Sequence, residues 1–163
     1  MIDQLFFNQA AGVLAACRAK GLSIVTAESC TGGLVAGALT EIAGSSDVVD
    51  RGFVTYSNAA KMAMLGVPEA TLAAHGAVSR QTAVAMAQGA LERAGVDLTV
   101  SITGIAGPGG GSADKPVGLV HFAAAAKDGR RIHREQRYGE IGRSEVRRRS
   151  VIEALNMLLE LAA

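Results

Sequence analysis

The stretch Leu22-Ser23-Ile24-Val25-Thr26-Ala27-Glu28-Ser29-Cys30-Thr31-Gly32-Gly33 joins a short apolar run to a polar, glycine-rich turn. Residues 22–27 predict a β-strand, and the apolar spacing over residues 31–43 predicts a helix. This order places residues 28–30 where the chain leaves a sheet and enters the N-terminus of a helix. In α/β proteins, turns at the carboxyl ends of strands are where ligands bind.

Alternating strand and helix patterns extend on both sides of this turn. Working outward, we expect helices or strands over residues 3–20, 48–56, 98–103, 117–126, 131–137 and 143–161. The strand at residues 48–56 is interrupted near Asp50-Arg51-Gly52. Between residues 56 and 98 we expect three helices. Asn58 is expected to cap the first and Ser79 the third, and Pro68 fits the first turn of the second.

Two strands near the C-terminus are joined by Lys127-Asp128-Gly129-Arg130, and an Asp-Gly pair in such a position is a strong hairpin signal. The hairpin forces an antiparallel pair into a sheet whose other strands alternate with helices. The predicted fold is therefore a three-layer α/β domain. It has a mixed sheet with helices on both faces and one C-terminal β-hairpin, in a single domain over residues 1–163.

Composition narrows the classes of function. The net charge of +1 argues against nucleic acid as the main ligand, although residues 127–149 are rich in arginine and are able to bind one phosphate group. Two cysteines, Cys17 and Cys30, favour reduced thiols in the cytoplasm over a disulfide framework. No signal peptide or membrane-spanning segment is expected.

Ser29 requires a base if it is to act as a nucleophile. His75, His121 and His133 lie in a predicted helix end and two strands, where structural roles are more common. Lys61 is the better candidate, because a serine–lysine pair is a known variant of nucleophile and base. A free lysine has a pKa of about 10.4, and bringing it near neutrality costs about 4 kcal/mol. Burial or the arginine-rich segment is expected to supply this shift.

Two alternatives remain open from the residues alone. Ser29 or Thr31 is equally able to serve as an ordinary helix cap, and Lys61 to lie on a helix surface. Cys30 is a second candidate nucleophile, since carboxylate–lysine–cysteine triads occur in amidases and Glu28, Lys61 and Cys30 supply those groups. The backbone N–H groups of residues 30–33 are expected to face outward and to hold an oxyanion or a phosphate.

The motifs taken together resemble the CinA C-terminal domain family over about residues 5–160. The resemblance rests on long ordered segments, which are Thr26-Ala27-Glu28-Ser29-Cys30-Thr31-Gly32-Gly33, Gly44-Ser45-Ser46, Gly52-Phe53-Val54-Thr55-Tyr56-Ser57-Asn58-Ala59-Ala60-Lys61, Leu72-Ala73-Ala74-His75-Gly76-Ala77-Val78-Ser79, Ile102-Thr103-Gly104-Ile105-Ala106-Gly107-Pro108 and Lys115-Pro116-Val117-Gly118. The resemblance implies a stand-alone nicotinamide-nucleotide amidohydrolase, which converts nicotinamide mononucleotide to nicotinate mononucleotide and ammonia in pyridine nucleotide salvage.

The resemblance also implies the chemistry. Ser29 stands at the position of the family's serine, Lys61 at its lysine, and Tyr56 matches a tyrosine near that pair, where it is expected to relay a proton. The substrate is expected to contact polar and glycine residues drawn from these motifs and from the final helix, namely Glu28, Thr31, Gly32, Gly33, Ser45, Asn58, Thr103, Gly104, Arg143 and Arg147.

The expected partner is a small-molecule nucleotide, with no nucleic acid and no membrane, and the protein is expected to be a homodimer or larger homo-oligomer. Neither a cofactor nor a metal is expected, because no cluster of His, Cys and carboxylate residues has ligand spacing. A second hypothesis is a non-catalytic nucleotide-binding module that acts with a partner in competence or other DNA-related physiology.

Overall fold

A computed structural model describes residues 3–163, which form six α-helices and five β-strands. In chain order these are α1 (Gln4–Lys20), β1 (Ile24–Glu28), α2 (Leu34–Thr40), β2 (Val49–Val54), α3 (Asn58–Leu65), α4 (Glu69–His75), α5 (Arg80–Ala94), β3 (Leu98–Gly104), β4 (Leu119–Ala126), β5 (Arg131–Arg137) and α6 (Arg143–Ala162). All of the predicted elements are present, several of them with shifted ends.

Helix starts follow from side chains that accept the first free N–H groups. Asp3 caps α1 through the N–H of Leu5, and Ser79 caps α5 as predicted. The cap of α3 is Ser57 rather than the predicted Asn58, because the backbone of Ser57 is extended and its Oγ accepts the N–H of Ala60. Asn58 is instead the first helical residue.

The two elements around the opening turn also differ from the prediction. Helix α2 begins at Leu34 rather than at residue 31, because Gly32 and Gly33 both have positive φ angles that a helix does not allow. The predicted interruption of β2 is a bulge. Ile24 pairs with Val49 and the next residue pairs with Arg51, so Asp50 is an extra residue in the strand.

The five strands form one open mixed sheet in the order β2-β1-β3-β4-β5. Strands β2, β1 and β3 are parallel, while β4 is antiparallel to β3 and forms the predicted hairpin with β5. The carboxyl ends of the three parallel strands therefore meet at one edge of the sheet, close to the first residue of β4.

Helices cover both faces of the sheet, which confirms the three-layer prediction. Helices α1, α2 and α6 pack on one face, where Phe122 and Leu155 belong to the larger buried cluster. Helices α3, α4 and α5 pack on the other face, where Met86 and Leu65 belong to the second cluster. Strand β1 serves both clusters because its successive side chains point to opposite faces.

A glycine in α5 allows the close crossing of two helices. A Cβ atom at Gly89 would overlap the carbonyl oxygen of Leu65 at the end of α3. We expect Gly89→Ala to lower the free energy of unfolding by about 1–3 kcal/mol, because the helices must separate to admit the methyl group.

The matched control is Gly12→Ala in α1, where an added Cβ meets no atom within 4 Å. This substitution is expected to raise the free energy of unfolding by about 0.5–1 kcal/mol, because alanine is the better helix former. Urea denaturation of both variants measures the difference. Equal effects at the two positions would contradict the packing argument.

Candidate active site

Ser29 and Lys61 form a buried pair at the carboxyl edge of the parallel strands. Ser29 directly follows β1, and Lys61 lies one turn into α3, with 8% and 1% of their surfaces exposed. Lys61 Nζ lies 2.9 Å from Ser29 Oγ and 2.8 Å from the carbonyl oxygen of Thr55. A neutral amine at this distance is able to accept the serine proton.

Pairing of β1 with the end of β2 brings the two side chains together. The N–H of Thr55 donates to the carbonyl oxygen of Glu28 over 2.8 Å, which places Thr55 beside the residue that precedes Ser29. The carbonyl of Thr55 in turn accepts a hydrogen bond from Lys61 Nζ. Backbone pairing of the strands therefore sets the position of the amine.

Burial lowers the pKa of Lys61, and Cys30 partly opposes this effect. Desolvation disfavours the charged ammonium, so the neutral amine becomes available at a lower pH than for a free lysine. Positive charge from the arginine-rich segment, the other expected source of the shift, is not among the causes.

Cys30 is a poor nucleophile in this geometry. Its side chain is buried among the residues between the sheet and helices α1, α2 and α6. Burial raises the pKa of its thiol to about 12, so the reactive thiolate is scarce at neutral pH. The short contact to Lys61 is made by Ser29, which favours the serine over the cysteine.

The Glu28 carboxylate binds backbone N–H groups at the start of α2. Its Oε1 accepts from Gly33 and Val35 over 3.2 and 3.0 Å, and its Oε2 accepts from Ala36 over 3.0 Å. The side chain is completely buried. Glu28 is therefore not available to the substrate in this conformation, nor as the carboxylate of a cysteine triad.

The N–H groups of Gly32 and Gly33 also have acceptors already. Gly32 donates to the carbonyl oxygen of Ser29 over 3.0 Å, and Gly33 donates to Glu28. In this conformation the two groups are therefore not free to stabilise an oxyanion, contrary to what the sequence led us to expect.

A pocket of about 260 Å³ opens above Ser29. Its lining includes the three predicted catalytic residues, the alternative nucleophile and four predicted substrate contacts, which are Ser29, Lys61, Tyr56, Cys30, Asn58, Thr103, Gly104 and Arg143. The Thr103 hydroxyl donates to the carbonyl oxygen of Ala77 over 2.8 Å, which joins the two walls of the pocket.

Tyr56 and Arg143 lie at the mouth of this pocket. Tyr56 is 61% exposed, and its hydroxyl accepts a hydrogen bond from Arg143 Nη2 over 2.8 Å. Arg143 Nη1 donates to the carbonyl oxygen of Gly107 over 2.9 Å, so the arginine bridges the tyrosine and the glycine-rich loop. The phenol's hydrogen-bond partner is this arginine rather than Lys61.

Besides Glu28, Gly32 and Gly33, three more of the predicted substrate contacts are not part of the pocket lining. Ser45 belongs to a short 3-10 turn, and its carbonyl oxygen accepts the N–H of Val48. Val48 in turn bonds to Ile24 at the amino end of β1, so Ser45 lies at the edge of the sheet opposite to the pocket. Thr31 is fully buried. Arg147 contacts the carbonyl oxygens of Cys30 and Thr31.

The pocket also contains residues that the sequence reasoning missed. Ala77 and Val78 form part of one wall, and the loop from Ile105 to Gly110 forms another. The glycine-rich composition of that loop, directly after a strand, was the available signal for the second wall. The first wall comes from a turn before α5 and has no such signal.

Two further kinds of feature are absent from the described residues. Within residues 3–163, no three His, Cys, Asp or Glu side chains are arranged to hold a metal ion. Over the same part of the chain, none of the helices combines the length and apolar character needed to cross a bilayer.

Comparison with known proteins gives one consistent result. The model of the CinA C-terminal domain family matches residues 7–162. The chain is 54% identical to nicotinamide-nucleotide amidohydrolase PncC of Enterobacter agglomerans, covering 89% of this chain and 88% of that protein. It is 51% identical to PncC of Escherichia coli strain K12, covering 97% and 95%.

Solved structures agree with the sequence relatives. Competence/damage inducible protein CihA from Agrobacterium tumefaciens matches with a TM-score of 0.98 and 57% identity, covering 100% of this chain and 99% of that chain. A CinA superfamily protein from Klebsiella pneumoniae matches with a TM-score of 0.91 and 36% identity, covering 96% and 97%. The chain is a member of the CinA C-terminal domain family.

Proposed function

We propose that this protein hydrolyses the carboxamide of nicotinamide mononucleotide to nicotinate mononucleotide and ammonia, as a step of pyridine nucleotide salvage. The observation that carries the proposal is the buried contact of 2.9 Å between Lys61 Nζ and Ser29 Oγ at the base of a pocket. The relatives named as nicotinamide-nucleotide amidohydrolases, which align over most of the chain, support the amidohydrolase class and the substrate.

The proposed reaction uses Ser29 as nucleophile and Lys61 as base and acid. Ser29 Oγ attacks the carboxamide carbon while its proton passes to the neutral amine of Lys61. The ammonium returns that proton to the departing nitrogen, which leaves as ammonia and leaves an ester on Ser29. Water, deprotonated by Lys61, then attacks the ester and releases the carboxylic acid and the free serine.

Arg143 is the proposed ligand of the 5′-phosphate. Its guanidinium lies at the mouth of the pocket, where it bonds to neutral oxygens of Tyr56 and Gly107, and the residue is exposed enough to receive an anion. A guanidinium matches phosphate oxygens in both charge and bidentate geometry. The nucleotide would then extend from the phosphate at the mouth to the carboxamide at Ser29.

The nucleophile is tested by two neighbouring substitutions. Ser29→Ala is expected to lower the rate of ammonia release from nicotinamide mononucleotide by at least about 10³-fold, because the attacking oxygen is lost. Cys30→Ala, the matched control, is expected to stay within about threefold of the wild type, because the thiol is buried and protonated. The reverse pattern would transfer the role to Cys30.

The same assay separates the amidohydrolase from a nucleotide-binding module. Wild-type protein that binds the mononucleotide in calorimetry but releases no ammonia would support the module. Binding that is unaffected by Lys61→Ala would strengthen that reading, because a module has no need of a base.

The role of Lys61 as a base predicts two effects of pH. Ammonia release by the wild type is expected to fall as pH decreases, because only the neutral amine accepts the serine proton. Lys61→Met is expected to abolish release at every pH, since methionine has no basic group.

The stability of the protein is also expected to depend on pH through Lys61. The pKa of Lys61 in the folded protein is below its ordinary value of 10.5. At a pH between the folded and unfolded pKa values, the unfolded chain therefore binds more protons than the folded protein. The free energy of unfolding of the wild type rises with pH in this range. Lys61→Met removes the burial cost and is expected to raise the Tm at pH 7, by about 2 °C or more, with the gain shrinking toward pH 10.

Calorimetric melting over pH 7–10 measures this difference, and the exposed Lys127→Met serves as the control with no such trend. A stability difference for Lys61→Met that stays constant over this range would contradict a lowered folded pKa.

A further inference from the structure

The turn that carries Ser29 is held from two sides by charged side chains that bond to backbone groups. Glu28, on one side, accepts the N–H groups of Gly33, Val35 and Ala36. Arg147, on the other side, donates to the carbonyl oxygens of the turn. Glu28 therefore binds donors at the end of the turn and in the first residues of α2, and Arg147 binds acceptors of the turn.

The contacts of Arg147 are specific to the residues next to Ser29. Its Nε lies 3.1 Å from the carbonyl oxygen of Cys30, and its Nη2 lies 3.4 Å from that of Thr31. Gly32 has a φ of +58°, and a Cβ there would lie 3.4 Å from Nη2. The glycine thus lets the turn curve around the guanidinium at close range.

Two observations argue that Arg147 serves the turn rather than the substrate. Within residues 3–163, the lining of the pocket includes Arg143 and does not include Arg147. Arg147 is also only partly exposed, and it donates hydrogen bonds to two backbone carbonyls of the turn. Arg143, by contrast, is exposed and lies on the pocket.

Position matters here because proton transfer and attack depend on short distances. Ser29 Oγ has to remain within hydrogen-bond range of Lys61 Nζ, which is itself held by Thr55. A displacement of about 1 Å in a reacting group lowers rates by roughly 10²-fold. A turn with two glycines of positive φ has little intrinsic rigidity, so external contacts must hold it.

We propose that Glu28 and Arg147 are positioning residues, which clamp the Ser29 turn by its N–H and carbonyl groups, and that Arg147 is not a phosphate ligand. This inference rests on the proposed function for its kinetic consequences. Two arginines of α6 thus have different roles. Arg143 binds the substrate, and Arg147 positions the nucleophile.

The kinetic test compares Arg147→Met with Arg143→Met. Arg147→Met is expected to lower kcat by about 10- to 100-fold while KM for nicotinamide mononucleotide stays within about twofold, because only the nucleophile is displaced. Arg147→Lys restores part of kcat, since an ammonium still donates to the carbonyls. Arg143→Met is expected to raise KM and to weaken binding of nicotinate mononucleotide in calorimetry.

Arg149→Met is the matched control, because Arg149 is an exposed arginine of the same helix bonded to Glu145. Its kinetic constants are expected to match the wild type. A rise in KM of tenfold or more for Arg147→Met, with kcat almost unchanged, would overturn the proposal in favour of a substrate contact. Unchanged kcat and KM would show that the turn does not need Arg147.

Glu28→Gln tests the other half of the clamp. The substitution keeps the shape but replaces one carboxylate oxygen by an NH₂ group, which opposes at least one of the three N–H donors. We expect a lower kcat with unchanged KM, as for Arg147→Met. Wild-type values of both kcat and KM would show that Glu28 is not part of the clamp. Melting curves show whether a lower kcat comes instead from loss of folding.

A second measurement does not depend on the substrate. An alkyl fluorophosphonate forms an Oγ–P bond with an activated serine, and the P–F bond breaks to release fluoride as the serine proton is removed. Labelling of Ser29 is expected to be slowed about 10-fold or more by Arg147→Met and unaffected by Arg149→Met, with Ser29→Ala as the blank. Slower labelling without any wild-type ammonia release would retain the clamp and reject the proposed function. Equal labelling rates in wild type and Arg147→Met would reject the clamp.

Discussion

A lysine amine with almost no solvent contact needs polar partners inside the protein, and the site is arranged around that need. Lys61 finds two, the hydroxyl of Ser29 and the carbonyl of Thr55. Both partners lie at strand ends, and Thr55 is in turn bonded to the backbone of Glu28. The parallel pairing of β1 with β2 thus determines where a buried amine is tolerated, and burial makes that amine a better base.

The polar groups around Ser29 divide into those that hold the turn and those that face the pocket. Glu28 and Arg147 bind backbone of the turn, while Tyr56, Thr103 and Arg143 line the cavity. The N–H groups of Gly32 and Gly33 are taken by the carbonyl oxygen of Ser29 and by Glu28. These two glycines of the turn therefore serve to shape the support of Ser29 rather than to present free donors.

Much of the fold could be predicted because its signals are local. Gly21 and Gly95 end helices in the left-handed conformation, and Ser79 caps α5 with its own hydroxyl. The Asp-Gly pair between β4 and β5 predicts the hairpin. Ser57 and Asn58 are both good caps, however, and only the extended backbone of Ser57, set by the end of β2, decides between them.

At the site, the order of strand, polar turn and helix and the presence of a serine and a lysine can be read from the residues alone. Which side chains meet at the pocket depends on the tertiary fold. Ser45 and Thr31 share motifs with Ser29 yet lie outside the pocket, and Arg143 and Arg147 are one helical turn apart yet meet different groups. Hydrogen-bond partners and burial depend on contacts between segments far apart in the chain, and the spacing of residues within a motif does not specify those contacts.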